Sequence, residues 1–390
     1  MSGPNSVLIT TPTALGANSE NKRFFRECRS RLTRNERYFF NAKIQMIQRL
    51  KATLLKIVTN VKPNPFGKQD IKSIVILRYD RIGDMIASLP LCKALKLGLP
   101  TARITMIAST VNACIAEECE FVDQTVIKPS QLLNWLWMLL RLRAEKYDIA
   151  IDLNHAVTPH TIFAIRILNP KHVASPFKDG RWGVKGTELR LFDLMPPQHA
   201  LEYVRPISET YLDIARLIDC PTQNCLPYPL RKHARPPQIP THYVVLNPTG
   251  SRTTMLLPDS DLSTIAEHVL ALNPLLHIVI PAMQSDYERL LSQFEEIPQV
   301  EVLSPSPSIK PLLPVIQFAQ CVITPDTALV HIACAYGVPL VAVYSANEVL
   351  FHQWQPYLNS TATVIRARDP KGLSGYSLPD LLSSITQKLR

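Results

Sequence analysis

The stretch CVITPDTALVHIACAYGVPLVAVY, running from Cys321 to Tyr344, decides the fold class. Cys321–Thr324 is a short apolar, β-branched run and reads as a buried strand. Asp326-Thr327 then place capping residues where a helix can open, and Gly337-Val-Pro339 ends that helix. Leu340–Tyr344 is a second buried strand. A strand, a crossover helix and another strand in so short a span predict a right-handed parallel βαβ unit.

The same alternation extends in both directions. Upstream, His242–Asn247, His277–Pro281 and Val300–Leu303 read as strands. Helices are predicted between them and after the last, over Asp261–Leu272, Ser285–Phe294 and Ile309–Ala319. Earlier still, Ser73–Leu77, Arg103–Ala108, Gln124–Ile127 and Asp148–Leu153 read as strands. Helices are predicted over Asp84–Leu97, Ser130–Lys146 and His199–Asp219. Between the two series lies Leu226–Pro240, which carries Pro227, Pro229, Pro236, Pro237 and Pro240 and reads as a stiff linker. The prediction is an α/β chain: an extension over 1–70, then two Rossmann-like parallel-sheet domains over 71–235 and 240–390. Ligands of such sheets bind in the cleft at the carboxyl ends of the strands.

Composition is globular, with 46% hydrophobic and 19% charged residues. The formal net charge is +10, and it is confined to one end of the chain. Residues 1–72 hold fourteen Lys/Arg against four acids, whereas the remaining 318 residues hold twenty-eight of each. The basic character therefore belongs to the extension and not to the domains. Within it, Ile44, Ile47, Leu50, Leu54, Leu55 and Val58 recur at helical spacing among Lys43, Arg49, Lys51 and Lys56, with Phe24, Phe25, Tyr38, Phe39 and Phe40 upstream. This is a basic amphipathic helix, suited either to a membrane surface or to packing on its own domain. No nucleic-acid motif accompanies it. The eight cysteines show no C-x-x-C pair and no zinc spacing, as expected of buried thiols in a reducing compartment. No secretory signal and no stretch long enough to span a bilayer is evident.

Three loops at strand carboxyl ends carry the chemistry. In Ile74–Pro90 (IVILRYDRIGDMIASLP) Asp84 stands at a helix start, as a cleft carboxylate or a plain N-cap. In Val244–Pro258 (VVLNPTGSRTTMLLP) Gly250, Ser251, Arg252, Thr253 and Thr254 could bind phosphate. In Cys321–Tyr344 the Asp326-Thr327 junction offers N–H groups and a positive dipole end to a diphosphate. His331, four residues on, shares a face with Thr327 and reads either as a ligand or as a core histidine.

Taken in order, these motifs resemble those of glycosyltransferase family 9, the lipopolysaccharide heptosyltransferase family. That family carries a Gly-Asp…Leu-Pro motif early, an Asn/His-Pro-Gly-Ala-like loop at the start of the second domain, and an Asp-Ser/Thr-Gly-Leu-x-His segment later. Tyr147–Leu153 is also similar to its fourth-strand pattern. The resemblance covers roughly 71–345. It implies a GT-B fold and an inverting, metal-independent transfer of a heptose-like sugar from a nucleoside-diphosphate donor to a lipopolysaccharide or other surface glycan. It implies Asp84 as general base. It places Asn247, Thr249, Gly250, Ser251, Arg252, Asp326, Thr327, Ala328 and His331 at the donor, and Arg78, Arg81, Gly83, Asn154 and His155 on the acceptor side.

Neither a cofactor beyond an ADP-heptose-like donor nor a metal ligand is implied. The partners implied are the nucleotide sugar, a glycolipid or oligosaccharide acceptor, and the inner membrane surface met from the cytoplasm through the basic helix. The chain departs from the pattern at Thr254–Pro258, where the family has Lys-x-Trp-Pro, with Arg252 as a candidate replacement charge. Ala328 stands for Gly, and Ser345-Ala346-Asn347 for Gly-Pro-Thr. A nucleotide-sugar epimerase and a non-catalytic binding descendant are the rival readings.

Overall fold

The computed structural model describes residues 46, 49–60, 66–67, 71–178, 184, 186–197, 204–250, 252–357 and 359–390. The first domain runs β1 (Ser73–Leu77), α1 (Ile82–Gly98), β2 (Arg103–Ala108), α2 (Ala113–Glu117), β3 (Gln124–Ile127), α3 (Leu132–Arg143), β4 (Ile149–Asp152), α4 (Pro159–Leu168), β5 (His172–Ala174) and α5 (Ile207–Leu217). Its five strands lie in the order β3-β2-β1-β4-β5, and all four pairings are parallel. The second domain runs β6 (Tyr243–Leu246), α6 (Asp259–Leu272), β7 (His277–Pro281), α7 (Tyr287–Phe294), β8 (Val300–Leu303), α8 (Leu312–Gln317), β9 (Cys321–Pro325), α9 (Ala328–Tyr336), β10 (Leu340–Tyr344), α10 (Glu348–Trp354), β11 (Ala362–Arg366) and α11 (Leu378–Leu389). Its order is β11-β10-β9-β6-β7-β8, again parallel throughout. The predicted α/β architecture is present in both halves. The prediction ended at β10; the structure adds α2, α4, β5, α10, β11 and α11, short or weakly patterned elements. Among them α11 packs on α6 and covers the outer face of the second sheet.

The strands are apolar on both faces because helices cover both sides, the usual condition of a parallel sheet. α1 is buried nearly all round, from Met85 through Leu95, since it lies between the first sheet, α5 and the second domain's α9. One continuous apolar cluster includes Ile74, Ile76 and Tyr211 of the first domain and Val245, Val322, Val330 and Ala333 of the second. The two domains therefore share a core along the α1–α9 seam instead of meeting only through a linker. Val75, Leu77, Trp135 and Ile162 form a separate cluster on the far face of the first sheet.

The described part of the basic helix covers 49–58. Leu55 and Thr59 are buried, and Leu55 joins the core that holds Val75 and Trp135. Lys56 pairs with Glu188 at 2.8 Å. Leu55 is thus a core residue and not part of a free apolar stripe. Met46, Leu50, Leu54, Ile57 and Val58 stay exposed. Ile44, Ile47 and the aromatic residues upstream lie outside the described residues. Among the described residues, no helix is long and apolar enough to cross a membrane.

Candidate active site

A cavity of about 830 Å³ opens between the domains. Its floor is the seam between two helix starts. A methyl group built on Gly83 would stand 3.3 Å from His331 Cδ2 and 3.9 Å from Ala328 Cα, so glycine permits α1 and α9 to approach this closely. Asp84 follows at once and faces the cavity. It is the third residue of α1, not the residue that opens the helix; Arg81 holds the N-cap position. Near the positive end of the dipole its carboxylate is still favoured.

Arg78, at the end of β1, is 2% exposed and lies beneath the cavity. Its Nη2 donates to Asp84 Oδ1 at 2.7 Å and to the Tyr211 hydroxyl at 2.5 Å. Nη1 donates to Asp80 Oδ2 and to the Leu153 carbonyl, each at 3.2 Å, and Nε donates to the Asp84 carbonyl at 3.2 Å. The guanidinium also lies over the Tyr211 ring, 5.1 Å from its centroid. A rigid fork with every face engaged fixes the Asp84 side chain by direct contact. Arg78 is thus a positioning residue beneath the site and does not line it.

Opposite stands the β9–α9 junction. Thr327 caps α9, its hydroxyl accepting from Leu329 N at 3.2 Å. Thr324 Oγ1 donates to the Pro325 carbonyl, so Thr327 is the donor in the 3.1 Å contact between the two hydroxyls. The Thr327 proton and one of its lone pairs are used within the fold. What the junction presents to a ligand is the helix dipole and its early N–H groups. Asp326 lines the cavity, and burial pushes its carboxyl up to about 6 against the pull of Arg252 and Arg81. Burial holds His331 down to about 4, hence neutral at pH 7. Its ring sits edge-on to Tyr228 and Trp354, each 5.7 Å away, and Nδ1 is 3.4 Å from the Tyr228 hydroxyl.

The loop after β6 is shaped from within. Asn247 is 3% exposed, and its Nδ2 donates to Thr324 Oγ1 at 2.8 Å and to the Thr249 carbonyl at 2.9 Å. That amide is fully used, so Asn247 builds the loop. Gly250 is pressed against Met255, whose carbonyl oxygen would stand 2.1 Å from an added Cβ. Thr249, Gly250 and Arg252 line the cavity; Ser251 lies outside the described residues.

A family model described as glycosyltransferase family 9 (heptosyltransferase) matches residues 136–372. The chain belongs to glycosyltransferase family 9. It is accordingly a glycosyltransferase. It is 25% identical to lipopolysaccharide heptosyltransferase 3 of Escherichia coli over 307 residues, 71% of this chain and 84% of that protein. Its fold is similar to the crystal structure of a glycosyl transferase family 9 protein from Veillonella parvula, with TM-score 0.67, 15% identity and coverage of 83% of this chain and 98% of that one. It is also similar to E. coli ADP-heptose lipopolysaccharide heptosyltransferase II, with TM-score 0.65, 19% identity and coverage of 82% and 97%. The two parallel-sheet domains are therefore those of the GT-B fold seen in this family.

Within the family 9 cleft, Arg81, Gly83 and Asp84 come from the first domain, and Asn247, Thr249, Gly250, Arg252, Asp326, Thr327, Ala328 and His331 from the second. Arg78, Asn154 and His155 do not line it. Asn154 donates from Nδ2 to Asp152 Oδ1 at 2.7 Å, and its carbonyl accepts from the buried Lys178. Burial, with the charges of Arg78 and Lys178, lowers His155 to about 3, and its Nε2 has no hydrogen-bond partner among the described residues. The sequence reading missed Tyr211, Tyr228, Trp354 and Lys371. Each comes from a segment without a loop motif, so no local signal marked it.

Proposed function

We propose that this family 9 enzyme transfers a heptose-like sugar from a nucleoside diphosphate to a lipopolysaccharide-type glycan by one inverting displacement without a metal. The observation that carries this reading is the α1–α9 seam, which sets Asp84 of one domain against the Asp326-Thr327 helix start of the other in a single cavity. The acceptor hydroxyl attacks the anomeric carbon as Asp84 accepts its proton. The leaving diphosphate gathers charge at the α9 N-terminus and at Arg252, which do the work a metal ion would otherwise do. Inversion needs base and leaving group on opposite sides of the sugar, and the two domains supply them from opposite walls. Asp326, with its raised proton affinity, is a second candidate base. It stands on the leaving-group wall, however, where it suits hydrogen bonds to sugar hydroxyls. The apolar side of the cavity, with Pro281, Ala282, Met283 and Leu303, fits a nucleobase.

The names of similar proteins support ADP-heptose as donor and lipopolysaccharide as acceptor. Two exposed apolar faces support a site at the inner membrane surface: Leu50, Leu54, Ile57 and Val58 on the basic helix, and Leu132, Leu133, Trp137 and Leu140 on α3. Turnover of a panel of nucleotide sugars tests the reading, with Asp84→Asn as control. The variant should bind donor normally and turn over about a hundredfold more slowly. Turnover near wild type would remove Asp84 from the base role, and isomerisation of the donor without transfer would favour the epimerase reading.

A further inference from the structure

We infer that Lys371, from the loop after β11, holds the donor's diphosphate; this rests on the donor reading of the cleft. The turn after β6 lacks an ammonium of its own. Where the family pattern has its Lys, this chain has Met255, which is 6% exposed and joins the core behind the second sheet. The tertiary structure brings Lys371 to the same turn from 117 residues away.

The attachment is specific. Thr254 Oγ1 donates to the Lys371 carbonyl at 2.9 Å, and Leu373 N donates to the Thr254 carbonyl at 3.0 Å. Gly372 passes so close that an added Cβ would stand 2.8 Å from that carbonyl oxygen. Asp369 closes the other end: its Oδ1 accepts from Lys371 N at 2.8 Å and its carbonyl accepts from Ala346 N at 2.9 Å. Leu373 is buried and anchors the loop in the core. Every one of these bonds uses backbone or a neighbour, so the Lys371 side chain is left to the cavity it lines.

The charges around the cleft favour an anion there. Asp84 and Asp80 both pair with Arg78. Arg252 and Arg81 act on Asp326. Among the described residues Lys371 has no ion pair. An ammonium on a flexible stem, with three donors, is suited to follow a diphosphate as it leaves.

Calorimetric titration of the full-length protein with ADP and with inorganic pyrophosphate tests the inference. Lys371→Gln should weaken ADP about tenfold, the scale of one charge-assisted contact, and leave the ligand-free melting temperature unchanged. ADP bound equally by wild type and Lys371→Gln would overturn the role of Lys371 while leaving the donor site intact. A fall in the ligand-free melting temperature that matches the lost affinity would make Lys371 structural. Failure of the wild type to bind either probe would overturn the donor reading, and this inference with it.

Discussion

Asp326 should cost this enzyme stability at neutral pH, and the cost should disappear in Asp326→Asn. Burial raises its carboxyl from 3.8 to about 6. A folded-state value above the unfolded one means that the folded protein keeps the proton longer. The stability linked to that proton is fully present below about pH 4 and is lost as pH rises through about 6. With about 1.36 kcal/mol per pKa unit, a shift of about two units gives a ceiling of about 3 kcal/mol, and partial solvation brings the expectation nearer 1–2 kcal/mol. Asn has nearly the same shape and cannot ionise. The variant should match wild type near pH 4 and melt higher at pH 7.5, by a few degrees for a chain of this size. Donor affinity should fall at the same time, a trade of stability for function. The assay is thermal unfolding of both proteins from pH 4 to 8. A wild-type-minus-variant difference that is flat with pH, or one that favours wild type above pH 6, would refute the burial argument.

Arg78→Met should lower stability by about 3 kcal/mol, because it leaves Asp84 and Asp80 without their buried partner. Turnover should drop as Asp84 loses its orientation; wild-type melting and turnover together would deny Arg78 the positioning role. Thr327→Val should cost the ligand-free protein about 1 kcal/mol through the lost α9 cap. An unchanged melting temperature with weakened ADP binding would instead show that the hydroxyl serves the ligand. Deleting residues 1–45 should weaken salt-sensitive binding to phosphatidylglycerol vesicles and leave the protein folded, since Leu55 and Thr59 remain. Deleting through residue 62 should also destabilise the first domain. Equal vesicle binding by full-length and shortened protein would end the membrane reading.

Much of the fold was legible. β7, β8 and β10 fall on the predicted limits, because short apolar runs between turn residues have no other stable use. Helix ends shifted by a few residues: α1 starts at Ile82, two residues before Asp84, since a cap depends on backbone angles as well as residue type. Elements beyond β10 went unread, although Ser377 caps α11 with a bond to Asp380 N. In the site, Asp84, Arg252 and Asp326 could be chosen as cleft residues because each follows a strand's carboxyl end. The roles of Asn247 and Thr327 could not, because both side chains are taken up by Thr324, which is distant in sequence from Asn247.

The sequence by itself determined two alternating α/β halves, the proline-rich break between them, the basic end of the chain and the loops that carry chemistry. These are signals of period, cap and composition, each contained in a few neighbouring residues. Only the tertiary structure decided that the Tyr211 hydroxyl meets Arg78 beneath the site, that Leu55 belongs to the core, that α1 and α9 share one seam, and that Lys371 reaches the Thr254 turn. Those facts depend on groups far apart in the chain meeting once both sheets are built. A side chain's local sequence carries no term for a partner that only folding brings within a few ångströms.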